Sequence, residues 1–364
     1  MPKWRVLATA SLITTEAGTQ QVVRVPDDVA CPSCRIATRP VATLGDSDGP
    51  GSISGPPNGV RSDGRGRYWV WGRDNGGGPA VFDAGGRFIR SAGRRGQGPG
   101  EFVMVADVIP VPGDSVLVMD YYRRATLFAP DLTMSRILQL GATLAQSLVV
   151  DWPRSIVGFS HYAAGDRGGH VLHSMSFDST PARITRSFGP SWAMPDVRTM
   201  ETASRSIAQS ARGLWAAPAH PYRIEHWTAD GRNDHVIERT PAWPARTAGG
   251  FGNRDTPPPN SVNAIADFGD GRLWVFINTA ASTWREGWPK GEGELRASAF
   301  SFEKMVRTLV EVIDPASGRV LARRQLDEWI VATLPGHKAV IYMVGADDIP
   351  RLRVVRLALE GTPP

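Results

Sequence analysis

Cysteine is nearly absent from this chain: Cys31 and Cys34 are its only two among 364 residues. Two thiols cannot complete a four-ligand structural zinc site, and no strand and helix follow Cys31-Pro-Ser-Cys34 to make it a thioredoxin-like redox pair. Two readings of the pair remain, a small local disulfide in an exported protein or two free thiols. Lysine is scarce as well, limited to Lys3, Lys290, Lys304 and Lys338, so arginine supplies most of the cations behind a net charge of +5 and a pI near 9.5. Arginine suits bidentate pairing with carboxylate or phosphate, but a GC-rich genome that encodes it wherever a cation is needed accounts for the same bias. Long apolar runs are missing, and nothing approaches the roughly 18 apolar residues of a membrane span. No Walker loop is present, which removes the common nucleotide-binding class.

The N-terminus admits two readings. Lys3 and Arg5 precede a short apolar stretch, residues 6–13, and Thr15-Glu-Ala17 offers small residues at the positions a signal peptidase reads. This is a short, weak secretory signal or, equally, a mis-set start or a leader. Cys31 lacks a lipobox, since Asp28-Val-Ala stands outside any apolar run. Residues 1–35 are therefore read as leader and linker, and residues 36–362 as one domain.

What the chain does have is glycine and proline, 39 and 29 residues, with an apolar share of 41%. That composition suits an all-β protein with many tight turns and enough apolar material for a core. The pattern is repetitive. Ala80-Val-Phe82, a glycine turn and Phe88-Ile-Arg90 lead into Gly93-Arg-Arg-Gly-Gln-Gly-Pro-Gly-Glu-Phe102, and then residues 107–120 restart the cycle with strand, turn and strand. Six apolar strands recur at this interval: Tyr68-Trp-Val-Trp71, Val116-Leu-Val-Met119, Ile156-Val-Gly-Phe159, Leu214-Trp-Ala-Ala217, Leu273-Trp-Val-Phe276 and Val340-Ile-Tyr-Met343. Strand groups at fixed spacing around glycine-rich crossings are the mark of propeller blades. The segment resembles an NHL-type repeat, as found in six-bladed β-propellers of the NHL and TolB-like kind, most sharply over residues 81–131.

The expected fold is all-β, a six-bladed β-propeller of four-stranded blades. Only five outer strands follow the third strands, while Arg39-Pro-Val-Ala-Thr-Leu-Gly45 has the pattern of an outer strand without a blade of its own. The N-terminal strand is thus expected to pair with the last blade near residues 352–359 and close the ring, leaving no free edge between the termini.

Strand order assigns faces. Loops between second and third strands, and crossings between blades, emerge on one side, and the long insertions at residues 190–204, 241–261 and 279–307 all fall there. Such loops are commonly functional. Residues 295–307 have apolar side chains at near-helical spacing, which suggests a short amphipathic helix or a packed lid. Arg94 and Arg95, from a crossing, join Tyr121, Arg123, His161, Tyr162, His220 and Tyr222 as candidate ligand-binding residues. Their chemistry suits an anionic or sugar-like ligand, or acid and base work; inter-blade packing is the competing role. His170 and His173 stand at odd strand spacing and face opposite sides, which argues against a shared metal.

Oxygen-bearing side chains at the starts of inner strands, Asp107 and Asn263 among them, are candidates for a Ca²⁺ site at the channel mouth, with polar plugging as the alternative. The resemblance implies platforms for proteins, RNA, sugars or peptides, and occasionally lactonases or lyases. The reading that follows is a non-catalytic binding or scaffold module outside the cytoplasm. It has no cofactor, takes a protein, peptide or carbohydrate ligand on the long-loop face, and is monomeric. DNA is not expected, and the mixed, modest charge argues against RNA. A Ca-type hydrolase, lactonase or lyase is the alternative.

Overall fold

The computed structural model describes residues 20–72, 77–160, 169–191, 204–240, 254–289 and 299–361. Six antiparallel sheets stand around a ring. Blade 1 comprises Gly59–Ser62, Tyr68–Trp71, Ala80–Phe82 and Phe88–Ser91, and blade 2 comprises Val105–Val111, Ser115–Asp120, Arg124–Phe128 and Met134–Gln139. Blade 3 follows with Ala145–Asp151, Ser155–Phe159, His170–Ser176 and Arg183–Ser191, and blade 4 with Arg205–Ser210, Gly213–Pro218, Arg223–Thr228 and Asn233–Arg239. Blade 5 holds Ser261–Asp267, Leu273–Ala280, Val306–Ile313 and Val320–Leu326, and blade 6 holds Trp329–Leu334, Lys338–Val344 and Pro350–Glu360. Each inner strand touches the inner strands of both neighbouring blades, so the circle is complete.

The N-terminal strand closes it. Arg35–Leu44 pairs antiparallel with Pro350–Glu360, from Arg35 opposite Glu360 to Leu44 opposite Leu352, with one bulge beside Pro40. Proline has no N–H for a ladder, and the outermost strand is where that is tolerated.

Second strands read as unbroken apolar runs because both of their faces are covered. In blade 1, Trp69 and Trp71 pack toward blade 2, while Tyr68 and Val70 pack toward blade 6. In blade 5, Trp274 and Phe276 face blade 6, and Leu273, Val275 and Ile277 face blade 4. Six apolar clusters result, one for each interface between neighbouring blades. Hairpins on the opposite face repeat one device: an aspartate caps the turn with its own carboxylate. Asp83 Oδ1 accepts from Gly85 N and Arg87 N, both at 2.9 Å, and Asp63 binds Arg65 N, Arg67 N and the indole of Trp69.

Sequence patterning missed a further strand within the segment read as linker. Gln21–Val25 adds in parallel to Asn233–Arg239, as a fifth strand of blade 4. The chain then crosses to blade 5, where Val29 bridges Val320, and turns through Cys31–Cys34 into the closing strand of blade 6. The two sulfurs are 2.05 Å apart, at bonding distance, and both cysteines pack into the cluster between blades 5 and 6. This N-terminal strap therefore laces three blades from outside. Residues 1–19 lie outside the described residues.

A buried ionic knot holds the strap down. Glu311, fully buried on blade 5, accepts from Arg239 of blade 4, from Arg323 Nε at 2.8 Å and from the hydroxyl of Tyr222 at 3.1 Å. Arg239 also reaches Asp27 Oδ1 of the strap at 2.6 Å, and Arg323 Nη1 donates to the Asp27 carbonyl at 2.8 Å.

The expected helix over residues 295–307 is a single turn, Phe302–Met305, and Val306 already begins a strand; Leu295 lies outside the described residues. The turn is short because Phe300 and Phe302 are drawn onto Trp288 and Trp329, with ring centroids 4.9 and 5.7 Å apart.

Two outcomes are expected. Glu311→Ala removes the buried anion that two guanidinium groups share and should cost about 3–5 kcal/mol in denaturant titrations. Reduction of Cys31–Cys34 opens a very small loop and should cost on the order of 2 kcal/mol or less, read as a modest shift of the thermal midpoint.

Candidate functional site

The glycine-rich crossing between blades 1 and 2 folds onto itself. Arg94–Arg95 pairs in parallel with Glu101–Phe102, and Phe102 is buried between the two blades. The Glu101 carboxylate accepts from Gly98 N at 2.8 Å and from Arg94 Nε at 2.8 Å, and these bonds hold its pKa below the usual carboxylate range. Gly96 adopts φ of +150°, and a Cβ there would strike that carboxylate. Arg124 ties the crossing to blade 2 through the carbonyls of Gln97 and Glu101. Arg94 is thus engaged within the loop, whereas Arg95 is exposed and makes no ion pair among the described residues.

Beside this crossing, Asp120 ends the second strand of blade 2. Its carboxylate is buried and accepts from Tyr122 N at 2.7 Å and Val103 N at 2.9 Å, with Arg124 3.8 Å away. One acid therefore fixes both the crossing and the tight loop Tyr121–Tyr122–Arg123, where Arg123 takes φ of +59°. The loop leaves Met104, Tyr121 and Tyr122 at 39%, 40% and 63% exposure, with Arg123 exposed beside them. The result is a small patch of rigid aromatic, thioether and guanidinium groups on the long-loop face. Sequence reasoning picked out Tyr121 and Arg123; it did not select Met104 and Tyr122, whose signal is only their neighbourhood.

Other predicted residues are placed differently. Tyr222 belongs to the ionic knot, 3% exposed, with Arg239 stacked 4.6 Å over its ring. Burial and the charge of Glu311 hold its hydroxyl well above the usual value, so it stays protonated. The signal missed here is Glu311, which lies 89 residues away. His220 is half-buried just before Tyr222, and His161 and Tyr162 lie outside the described residues. His170 Nδ1 meets Gly189 O at 3.1 Å while His173 Nδ1 meets Ser187 Oγ at 2.9 Å.

At the ring's centre, inner strands of blades 2, 3, 5 and 6 each carry a bulge near their long-loop ends. Bulges re-aim side chains. Asp107 is fully buried, accepts from Ser147 N and Val108 N, and lies 3.7 Å from Arg61, so it stitches blades 1, 2 and 3 together. Burial, only partly offset by Arg61, pushes its carboxyl above the usual range. Asn263 Nδ2 donates to Ile330 O of blade 6 at 2.7 Å. Among the described residues, no three His, Cys, Asp or Glu side chains come together as a metal-binding group.

A recess of about 380 Å³ opens beside Asn263 on the same face, between blades 3, 4 and 5. Gln146, Ser204, Ser206, Ser261, Asn263 and Asn278 supply its polar wall, and Phe159, Ala219 and Val262 its apolar one. Arg205, 7% exposed, is the one ionisable group among these described lining residues. Burial lowers its pKa while the charge of Glu225 opposes that fall.

No family model matches the chain, and no curated protein matches it. Solved structures do. A candidate exported protein from Bacteroides fragilis is 11% identical over 93% of this chain and 100% of its own, with a TM-score of 0.58. BamB from Moraxella catarrhalis is 14% identical over 82% of this chain and 84% of its own, with a TM-score of 0.41. The extracellular domain of a hybrid two-component system from B. thetaiotaomicron is 15% identical over 86% of this chain and 41% of its own, also with a TM-score of 0.41. At these identities the likeness is one of fold, and the similarity to NHL and TolB-like proteins stands at the level of the six-bladed architecture.

If Asp120 organises the patch, Asp120→Ala should cost about 1–3 kcal/mol, from two part-buried N–H groups that lose a charged acceptor, and raise amide exchange at Val103 and Tyr122. Tyr122→Ala should change stability by no more than about 0.5 kcal/mol in the same titration, because the ring stands in solvent.

Proposed function

We propose that the protein is a non-catalytic binding propeller that engages a partner protein through its long-loop face. The observation that carries this is the exposed group Met104, Tyr121, Tyr122 and Arg123, held in place by the buried carboxylate of Asp120. Tyrosine, methionine and arginine are the residues enriched at interface cores and hot spots. A loop already fixed in one geometry loses little freedom when bound. Work outside the cytoplasm is supported by the Cys31–Cys34 disulfide, which oxidising compartments preserve, and by the fold shared with the candidate exported protein of B. fragilis. A calcium-dependent hydrolase, lactonase or lyase at the channel mouth has less support, because the Asp107 carboxylate and the Asn263 amide already join neighbouring strands.

The test is photo-crosslinking in cells, with a benzophenone amino acid at position 122 and, as a control on the opposite face, at position 270. A discrete adduct is expected from position 122 alone. Its yield should fall about tenfold or more when Met104 and Arg123 are both changed to Ala, as hot-spot losses of this size imply. Equal adducts from both faces, or an adduct indifferent to Met104 and Arg123, would refute the reading.

A further inference from the structure

We infer that Ser210, His226 and Asp234 form a nucleophilic triad on blade 4 that cleaves small carboxylic esters through an acyl-Ser210 intermediate. Ser210 Oγ lies 2.7 Å from His226 Nε2, and Asp234 Oδ1 lies 2.6 Å from His226 Nδ1. An ionised carboxylate can only accept, so it fixes the proton on Nδ1 and leaves Nε2 to accept from the hydroxyl. Hydroxyl, imidazole and carboxylate thus stand on the ring nitrogens where a nucleophile, its base and the group that orients the base belong. This is a second function, on the hairpin face; the non-catalytic role proposed above concerns the long-loop face alone.

Three strands of one sheet assemble the triad. Ser210 ends the inner strand, His226 lies on the third strand and Asp234 on the outer one. The second strand runs between Ser210 and His226, yet its residue opposite Ser210 is Gly213, which has no side chain to stand in the way. Trp215 packs on the imidazole, ring centroids 4.8 Å apart, and holds its plane. His226 faces His235 and Trp227 faces Asn233, so Asp234 is the extra residue of a bulge.

The other blades show that architecture does not ask for these residues. The same bulge recurs between third and outer strands of blades 1, 2, 3 and 5. There the pair matching His226 and Asp234 is Val81 with Ile89, Leu127 with Ser135, Ser174 with Thr185, and Val312 with Leu321. Blade 4 alone of these five sets an imidazole beside a carboxylate, and it does so within reach of a serine. His226 is 8% exposed, while Ser210 is only half-buried at a hairpin tip, flanked by the small residues Ala211 and Gly213, where a short acyl group can approach.

The reaction needs only water as co-reactant. Ser210 Oγ bonds to the ester carbonyl carbon as its proton passes to His226 Nε2; the bond from that carbon to the alcohol oxygen then breaks, and the Nε2 proton goes to the departing alkoxide. Water repeats the sequence on the acyl-serine, giving its proton to Nε2, and the carboxylic acid leaves as Ser210 Oγ takes that proton back. Asp234 is a positioning residue that stays ionised throughout. In serine hydrolases the N–H after the nucleophile helps hold the oxyanion, and here that residue is the exposed Ala211.

The experiment treats the full chain with a fluorescent fluorophosphonate, which phosphonylates activated serines, and maps the label by peptide mass; hydrolysis of p-nitrophenyl acetate is followed in parallel. A single label is expected at Ser210, with ester turnover above that of buffer. Ser210→Ala should abolish both, and Ser210→Cys should restore an acylation burst with the ester. Asp234→Asn should slow labelling about 100-fold or more while leaving the thermal midpoint little changed, and His226→Gln should slow it at least as much. Ser187→Ala, at a hydroxyl that meets His173 through Nδ1 instead, should leave labelling unchanged. The inference is overturned if Ser210 of the unaltered chain takes no label, if ester hydrolysis survives Ser210→Ala, or if folded Asp234→Asn labels as fast as the parent. Mapping on the unaltered chain decides the matter even where a variant does not fold. Crosslinking at position 122 reports on the protein-binding reading separately, so either can fail alone.

Discussion

Closure of the ring is the constraint on which everything else depends. A propeller blade is a twisted sheet with two apolar faces, and neither face is covered until a neighbour stands on each side. The pairing of Arg35–Leu44 with Pro350–Glu360 joins the two chain ends in one sheet, so blade 6 cannot form without both. Once it forms, every second strand is enclosed on both sides, and the six interfacial clusters become one cooperative core. The disulfide turn abuts this seam: a Cβ on Gly361 would meet Ser33 O at 2.8 Å, so the end of the last strand is seated directly on the Cys31–Cys34 loop.

The strap extends the same logic to the outer wall. Glu311, Arg239, Arg323 and Asp27 put two cations and two anions into one contact between blades 4 and 5. Such a cluster adds little net stability over an apolar replacement of equal shape, but breaking it halfway is expensive. Its effect is therefore one of register: the segment from Gln21 to Ala30 has a single seating in which Asp27 meets both arginines. Parallel addition of Gln21–Val25 also covers the outer edge of blade 4, an edge that would otherwise offer unpaired N–H and C=O groups to another chain.

These differences in environment explain what the sequence revealed. Second strands such as Tyr68–Trp71 were legible because burial on both faces demands consecutive apolar residues, and turns such as that at Asp83 because aspartate and glycine are required by their geometry. Gln21–Val25 was not, since only Val23 and Val25 are buried and a five-residue edge strand with two buried positions has no pattern distinct from a linker. Tyr222 looked like a rim residue because its loop lies on the long-loop face; that its side chain turns inward depends on Glu311, a long-range partner that no local window contains. Tyr121 and Arg123 were legible for the converse reason, since a two-strand loop of this length leaves its tip in solvent.

The proposed function falls where the ring does not need the residues it has. Asp107, Asn263 and Tyr222 all carry reactive or ligating groups, yet each is engaged in holding one blade to the next, and their chemistry is explained by that alone. The side chains of Tyr122 and Met104 are exposed, and such apolar surface costs something to keep. A scaffold under selection for stability alone would place smaller polar residues there. Closure is carried by the strands and the strap, and the proposed recognition by loop positions that closure leaves free.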